Sequence, residues 1–307
     1  MRKIVIAFGG NALGNTPDEQ QALIKEAVKT IVPLVKAGDK VVIGHGNGPQ
    51  VGIINLAFEN SLDNEDIPYM PLAECTAMSQ GYIGYHLQKG IKEVLNEENI
   101  SKSVVSLITQ VKVDKNDPSF KNPTKPIGPF YTKEVADKLK ETSGDTYVED
   151  AGRGYRKVVA SPEPIEIVEI DTIRDLIEKD NIVIAGGGGG IPVYLDEPTK
   201  GASAVIDKDK LCSLMARNIN ADLLVILTNI KQAQINYNTD NAQDIGKVDI
   251  ATMEKYIAEG HFAKGSMLPK VEAAIEFVKE TGNDAIITDL NNLTNALEGN
   301  EATIITK

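Results

Sequence analysis

The sequence is poor in the residues that several common classes of protein need. It has no Trp, and aromatic residues make up 5% of its 307 residues, too few for the platforms on which single-stranded nucleic acids stack. Its two cysteines, Cys75 and Cys212, cannot build a disulfide framework, and they favour a reducing, cytoplasmic location. The cysteine count therefore argues against a small secreted scaffold.

Long apolar runs and metal-ligand clusters are also missing. No run approaches the roughly 20 apolar residues of a membrane span, and the run after Met1-Arg2-Lys3 reaches glycine too early for a signal peptide. The three histidines have no zinc-ligand spacing to one another or to the cysteines. The sequence predicts no membrane partner and no metal ion held by protein side chains alone.

Positive charge is scarce, because 32 Lys and Arg face 44 Asp and Glu, for a formal net charge of −12. Such a chain is poorly suited to bind DNA or RNA, since phosphate backbones repel it. If the protein binds a small phosphate compound, its cations must be gathered locally.

Apolar, β-branched runs alternate with helical segments along the chain. This rhythm predicts an α/β fold, a three-layer sandwich in which a central, mostly parallel sheet is covered by helices on both faces. We expect one domain over residues 1–307, carrying a protruding inserted subdomain, or lid, over residues 111–159, where prolines accumulate. Thr16-Pro17-Asp18-Glu19 predicts a capped helix start, and this helix is expected to run to about Ala37, before Gly38.

Three predicted strands run directly into glycine-rich loops. Gly9-Gly10-Asn11 follows the first, Gly44-His45-Gly46-Asn47-Gly48 the second, and Gly186 to Gly190 follows Ile182-Val183-Ile184-Ala185. Glycine lets backbone N–H groups approach a ligand closely. Since parallel strands end at one sheet edge, the loops predict a single anion-binding crevice there.

The common nucleotide and hydrolase signatures are absent from the sequence. Gly260 and Gly265 have P-loop spacing, but Ser266 stands where a P-loop has lysine. The loop from Gly44 to Gly48 and the run from Gly186 to Gly190 both lack the last glycine of a dinucleotide fingerprint, and there is no G-x-S-x-G elbow. A phosphate site in this chain must be of another type.

Three lysines stand in unusual settings. Lys208 lies between Asp207 and Asp209 at a helix start, Lys270 follows Pro269 in a first helical turn, and Lys125 lies in a proline-rich loop. Each alone is compatible with a solvated surface lysine, and Asp207 with a simple helix cap. Together with the glycine loops, they supply the positioning and positive charge that phosphoryl transfer requires. Arg153 and Arg156 add two cations close to Lys125 in the inserted segment.

The motifs, taken in order, resemble those of the carbamate kinases, a branch of the amino-acid kinase superfamily. The resemblance spans nearly the whole chain. It is carried by Gly9-Gly10-Asn11-Ala12, His45-Gly46-Asn47-Gly48-Pro49-Gln50-Val51-Gly52, Pro123-Thr124-Lys125-Pro126-Ile127-Gly128-Pro129-Phe130, Asp150-Ala151-Gly152-Arg153-Gly154, Gly187-Gly188-Gly189-Gly190-Ile191-Pro192-Val193, Ala204-Val205-Ile206-Asp207-Lys208-Asp209 and Gly265-Ser266-Met267-Leu268-Pro269-Lys270.

The resemblance implies reversible phosphate transfer between carbamoyl phosphate and ADP, giving ATP and carbamate, with Mg²⁺ carried by the nucleotide phosphates and a homodimeric assembly. Lys208 and Lys270 would bind the transferring phosphoryl group, Lys125 would supply a third charge from the inserted subdomain, and Asp209 would orient the lysines. The implied phosphate and carbamoyl site comprises Gly9, Gly10, Asn11, Gly46, Asn47, Gly48, Gly187 and Gly188. The implied nucleotide site comprises Thr228, Ser266 and Met267.

One segment departs from the family pattern. After the Leu223–Leu227 strand the family usually has a glycine or acid, an aliphatic residue and an aspartate, whereas this chain has Thr228-Asn229-Ile230-Lys231, with Gln232 and Gln234 where aromatics are common. This departure keeps open a second hypothesis, a catalytically weak relative that senses carbamoyl phosphate or nucleotide. A kinase for an amino-acid carboxylate or UMP is disfavoured by Phe8 and by the Lys125 insertion. The sequence leaves the dominant direction and the source of carbamoyl phosphate (arginine, agmatine or purine-derived) open.

Overall fold

The apolar runs form the strands of one large sheet. The computed structural model describes residues 1–9, 16–61, 64–150 and 152–307. Within them the large sheet contains, in chain order, β1 (Lys3–Phe8), β2 (Lys40–His45), β3 (Val104–Ser106), β9 (Ile182–Ile184), β11 (Leu223–Thr228), β14 (Lys247–Asp249), β15 (Ala285–Asp289) and β16 (Thr303–Thr306). Their spatial order is β14-β16-β15-β11-β1-β2-β9-β3.

Neighbouring strands of the large sheet pair in parallel, with one exception: β15 and β16 pair antiparallel. Side chains alternate between the two faces, as strand geometry requires. Ile4 and Ile6 of β1 belong to one buried apolar cluster, and Val5 and Ala7 belong to the other. Because both faces are buried, the strand sequences are almost continuously apolar.

Helices cover both faces of the sheet and complete the predicted three-layer sandwich. One face is covered by α1 (Pro17–Lys29), α2 (Val32–Lys36), α4 (Leu72–Glu97) and α10 (Leu293–Leu297). The other is covered by α6 (Ile170–Glu178), α7 (Lys208–Asn218), α8 (Ile250–Ala258) and α9 (Met267–Thr281). In the described residues, no helix is both long and apolar enough to cross a lipid bilayer.

The predicted helix from Thr16 to Ala37 was right at its start and wrong in its continuity. Thr16 and Glu19 form a reciprocal capping box, and Pro17 occupies the first helical position. The helix ends at Lys29, however, and a second short helix begins at Val32. Pro33 explains the break, because it lacks an N–H and its ring clashes with the carbonyl four residues earlier.

The inserted segment contributes to two different sheets. β4 (Gln110–Val113) pairs with β8 (Glu166–Ile167) and with β10 (Ile191–Tyr194), which follows the glycine run. A separate sheet is formed by β5 (Lys125–Tyr131), β6 (Thr146–Glu149) and β7 (Tyr155–Val159), with α5 (Lys133–Ser143) between β5 and β6. We call residues 125–159 the subdomain. The prediction of a protruding lid over residues 111–159 stays a prediction.

The subdomain is docked on α3 (Gly48–Glu59) through two glycines. A Cβ on Gly52 would lie 2.0 Å from the backbone nitrogen of Gly128, so only glycine permits this backbone approach. Ile127 is buried beside this contact in a small apolar cluster with Val51. Lys157 binds Glu59 at 2.7 Å and closes the interface at the far end of α3. These contacts hold Lys125 over the carboxyl edge of the large sheet.

The remaining strands form a small hairpin beyond β11, made of β12 (Gln234–Ile235) and β13 (Gln243–Asp244). The segment that departs from the family pattern leads into this hairpin, and its last residue, Gln234, begins β12. The side-chain amide of Gln234 donates to Asp244 at 2.7 Å. Gln234 therefore serves the hairpin itself.

Candidate active site

The three strands that lead into the glycine loops lie side by side, as the sequence predicted. β1, β2 and β9 are neighbours in the large sheet and run parallel, so Gly9, Gly46 and Gly186 leave it at the same edge. Gly10 and Asn11, both predicted phosphate ligands, lie outside the described residues.

The five-glycine run is shaped by close packing. Gly186, Gly188, Gly189 and Gly190 have φ between +66° and +87°, a region that strains other residues. A Cβ on Gly188 would lie 2.1 Å from the side-chain nitrogen of Asn47, and one on Gly189 would lie 2.1 Å from the carbonyl oxygen of Ile206. The run therefore lets the loops after β9 and β2 meet the segment that leads into α7.

Two of the predicted lysines share one buried carboxylate. Asp209, 2% exposed, binds the ammonium group of Lys208 through Oδ1 and that of Lys270 through Oδ2, the latter at 2.9 Å. Lys208 is the first residue of α7 and Lys270 the fourth of α9, and these helices pack against each other. Lys270 thus lies in the first turn, although the helix begins at Met267 rather than at Pro269.

Asp207 joins the third lysine to this pair. Its Oδ1 accepts the backbone N–H of Asp209 at 2.8 Å and caps α7, while its Oδ2 accepts from Lys125 at 2.6 Å. The cap and the held charge, which the sequence presented as alternatives, are both present. Lys125 of the subdomain is thereby brought to the same helix end as Lys208.

Asp207 and Lys208 are held in their charged forms by their neighbours. Burial acts to raise the pKa of Asp207, but the ammonium groups of Lys125 and Lys208 outweigh it and hold this pKa below its usual range. Burial acts to lower the pKa of Lys208, but Asp209 and Asp207 outweigh it and raise that pKa. Asp207 and Lys208 are therefore fixed ions.

These groups line a cavity of about 620 Å³. Cations outnumber carboxylates on its walls: Lys125, Arg153, Arg156, Lys208 and Lys270 face Asp207 and Asp209. In a chain of net charge −12, this local excess attracts anionic ligands. Gly46, Asn47, Gly48, Gly188 and Ser266 also line the cavity.

Other predicted site residues lie away from the walls of this cavity. Gly187 packs against the ring of His45, and Gly9 lies against the carbonyl of Leu227. Thr228 ends β11 and bonds to Asn229 at 3.3 Å. Met267 packs on the apolar core beneath α9. The nucleotide role of Thr228 and Met267 stays a prediction.

A buried polar network behind the glycine run was missed at the sequence level. The amide nitrogen of Gln80 donates to the carbonyl oxygens of Thr109 and Gly187, at 3.1 and 2.9 Å, and its oxygen accepts the N–H of Thr109 at 2.9 Å. Ser79 accepts a hydrogen bond from Asn47 at 2.8 Å. In the sequence these residues look like ordinary polar positions of α4, so nothing marked them.

Replacing Gln80 with leucine is expected to lower the free energy of unfolding by roughly 1–3 kcal/mol, because the buried N–H of Thr109 loses its partner. The carbonyl oxygens of Thr109 and Gly187 keep hydrogen bonds from the N–H groups of Ile191 and Gly190. Urea unfolding at pH 7 measures this. Gln21→Leu, the same change at an exposed position of α1, is the matched control. Equal stability of the two variants would show that Gln80 carries no structural load.

His45 introduces a pH dependence of stability. Its Nδ1 lies 2.9 Å from the carbonyl oxygen of Gly46, which can only accept, so Nδ1 carries the proton of a neutral ring. Burial lowers the pKa of His45 to about 4. Between pH 6.5 and 4 the unfolded chain binds a proton that the folded protein does not, so acid favours unfolding.

We therefore expect wild type to lose about 2–3 kcal/mol of stability between pH 7 and 4.5 through His45. The measurement is urea unfolding at both pH values, in wild type and in His45→Gln. The variant should show a shallower pH dependence by that amount. The same pH dependence in both proteins would contradict a buried neutral His45.

No group of three or more His, Cys, Asp or Glu side chains placed to share a metal ion occurs in the residues that the structure covers. The carboxylates of the cavity, Asp207 and Asp209, are already bound to ammonium groups. Each oxygen of these two carboxylates already has a partner.

Comparison with known proteins identifies the family. Residues 2–289 match the amino acid kinase family. The chain is 52% identical to the carbamate kinase of Staphylococcus epidermidis over 310 residues, covering 100% of both chains, and 52% identical to that of Staphylococcus haemolyticus over 309 residues, again covering all of both. The structure matches carbamate kinase from Giardia lamblia bound to AMP-PNP with a TM-score of 0.91 and 42% identity, over 100% of this chain and 98% of that one. The chain therefore belongs to the amino acid kinase family and, within it, to the carbamate kinases.

Proposed function

We infer that this protein catalyses the reversible transfer of a phosphoryl group between ATP and carbamate, giving ADP and carbamoyl phosphate. The observation that carries this inference is the pair of ammonium groups of Lys208 and Lys270 on the shared carboxylate of Asp209, with Lys125 at the same cavity. This arrangement supplies concentrated positive charge in a chain that belongs to the carbamate kinases.

We propose that the reaction runs mainly towards ATP. An oxygen of the ADP β-phosphate attacks the phosphorus of carbamoyl phosphate, the bond between phosphorus and the carbamoyl oxygen breaks, and carbamate leaves with the electron pair. The attacking oxygen is already anionic, so no general base is needed. Carbamate then takes up a proton and falls apart to ammonia and carbon dioxide, which draws the reaction forward.

The lysines act on the charge of the transferring group. During transfer, negative charge is spread over three equatorial oxygens, and preorganised cations stabilise it. Asp209 holds the ammonium groups of Lys208 and Lys270 close together before substrate binds, because each of its two oxygens binds one of them. Lys125 approaches from the subdomain and adds a third charge.

We propose that the nucleotide phosphates lie along the wall formed by Gly265, Ser266 and Lys270, at the start of α9. Unpaired N–H groups at a helix N-terminus favour anions. Mg²⁺, when bound to the nucleotide phosphates, neutralises charge on them and orients them. Because Asp207 and Asp209 are held by lysines, we expect the phosphate oxygens to be its main ligands.

The decisive experiment mixes the protein with ADP, Mg²⁺ and carbamoyl phosphate and measures ATP. We expect ATP to form in proportion to protein concentration, and a protein carrying both Lys208→Ala and Lys270→Ala to provide the background. Nucleotide binding without ATP formation would contradict the kinase assignment and leave a binding role.

We also propose a homodimer in the cytoplasm. Met78 and Tyr85 of α4 are exposed on one stripe of the helix, and Ile108 is exposed just beyond β3, an edge strand of the large sheet. An apolar stripe beside an open sheet edge suits a second copy of the same surface. The buried thiols of Cys75 and Cys212 suit a reducing compartment.

The dimer is tested by light scattering on purified protein. Tyr85→Glu combined with Ile108→Glu should convert dimer into monomer, because charges would be buried at the interface. Tyr237→Glu, a similarly exposed tyrosine on the hairpin, should leave the mass unchanged. A wild-type monomer at micromolar concentration would refute the dimer.

A further inference from the structure

The subdomain carries two arginines that line the cavity and share their partners. Both guanidinium groups face Oδ2 of Asp150, at 3.2 Å from Arg156 and 3.6 Å from Arg153. Both also lie over the ring of Phe130, with the Cζ atoms of Arg153 and Arg156 at 4.7 and 5.1 Å from its centroid. One carboxylate faces two positive charges, so the group carries a net positive charge towards the cavity.

The two arginines are held very differently. Arg156 is 13% exposed and donates hydrogen bonds to the carbonyl of Gly128 at 3.0 Å and to Asp150. It thus ties β7 to the glycine that docks the subdomain on α3. Arg153 is 63% exposed, and within the described part of the chain its side chain donates no hydrogen bond. Its contacts are the long ion pair with Asp150 and the ring of Phe130, so its donors remain available.

The ring of Phe130 orients the guanidinium group of Arg153, and within the described residues the side-chain N–H donors form no hydrogen bond. A guanidinium over an aromatic face is weakly held in a fixed plane, and its five N–H groups match two oxygens of a phosphate at once. The side chain borders the cavity that contains Lys208 and Lys270. An anion bound there would meet Arg153 from the solvent side.

We propose that Arg153 is a specificity-determining residue for carbamoyl phosphate, whose phosphate oxygens it binds as the substrate enters. This proposal rests on the proposed function. We assign it to carbamoyl phosphate rather than to the nucleotide because the subdomain is docked on α3. The loop that leads into α3 carries Gly46 and Asn47, which the family resemblance places in the phosphate and carbamoyl site. The first turn of α3, at Gly48 and Pro49, shares the cavity wall with Arg153.

The expected effect falls on binding. Arg153 lies at the solvent side of the site and is exposed, so it contributes to capture of the substrate more than to the transition state. Arg153→Ala should raise the KM for carbamoyl phosphate about 10-fold, the loss of one modest charge-assisted contact. The KM for ADP and kcat should change less than about 2-fold. Arg153→Lys should recover part of the loss, because it restores charge without the fork.

Lys133→Ala is the matched control. Lys133 is an exposed cation of the same subdomain, paired with Asp137, and it does not line the cavity. It should leave every constant unchanged. An unchanged KM for carbamoyl phosphate in Arg153→Ala would overturn the proposal, and so would a fall in kcat at constant KM.

A second readout does not depend on turnover. Binding of inorganic phosphate, measured by calorimetry without nucleotide, should weaken several-fold in Arg153→Ala and not in Lys133→Ala. If wild type makes no ATP while phosphate binding still depends on Arg153, the kinase assignment fails and the role of Arg153 in anion capture stands. If ATP forms while neither the KM for carbamoyl phosphate nor the affinity for inorganic phosphate depends on Arg153, the proposed role of Arg153 fails and the kinase assignment stands.

Discussion

Replacing either Lys208 or Lys270 with alanine is expected to lower kcat for ATP formation by roughly 10²-fold or more. Each ammonium group contributes charge where charge builds up during transfer, and losing one preorganised donor in a closed site costs about 10²–10³ in rate. Lys208→Arg should not restore the rate, because the planar guanidinium cannot occupy the place of a compact ammonium beside Asp209.

The control for this prediction is Lys210→Ala. Lys210 is two residues from Lys208, but it pairs with Glu163 and does not line the cavity. Its loss should change kcat less than about 2-fold, as expected for a surface cation. Because Lys208 and Lys270 hold the same carboxylate, the double variant should lose less than the product of the single losses. Unchanged kcat in both single variants would exclude the assigned roles.

Replacing Asp209 with asparagine is expected to damage both stability and activity. Asp209 is buried between two ammonium groups, and breaking a buried ion pair by removing one partner costs about 3–5 kcal/mol. Asparagine keeps the shape but leaves Lys208 and Lys270 close together without their shared counter-ion. We expect the free energy of unfolding to fall by about 3 kcal/mol and kcat to fall by at least 10-fold, because the lysines lose their fixed position.

The same variant makes a sharper prediction with phosphate. In wild type, an anion competes with Asp209 for the two lysines, whereas in Asp209→Asn it takes the place of the missing carboxylate. Inorganic phosphate should therefore raise the thermal midpoint of Asp209→Asn more than that of wild type. Asp196→Asn, which removes a surface partner of Lys115, should match wild type. An equal phosphate shift in wild type and Asp209→Asn would mean that the lysines do not bind phosphate.

Local patterns predicted the layers of the fold because the pattern and the environment agree. Strands such as Ile4-Val5-Ile6-Ala7 are buried on both faces, which requires an almost continuous apolar run, and glycine-rich turns separate them from the helices. The antiparallel strand β16 was not expected, since alternation reports which face a side chain occupies and not the direction of the neighbouring strand. The break at Pro33 was missed because the apolar residues on both sides of it favoured one helix.

The site was predicted in parts. The sequence showed three glycine loops and three lysines in unusual settings, and the family resemblance supplied their roles. The hydrogen bonds of Gln80 and the packing of Arg153 and Arg156 over the ring of Phe130 were not predicted. Both depend on contacts between segments that are far apart in the chain. Gln80 and Gly187, for example, are 107 residues apart.

What the sequence determined by itself is the kind of chemistry: an acidic chain with few aromatics, glycine turns at strand ends and lysines at helix starts. Only the tertiary structure decided that Asp209 holds Lys208 and Lys270 together, that Asp207 binds Lys125, and that two arginines face the same cavity. The physical reason is that local patterns encode burial and backbone geometry. The meeting of charges depends on which helices and strands become neighbours when the sheet assembles.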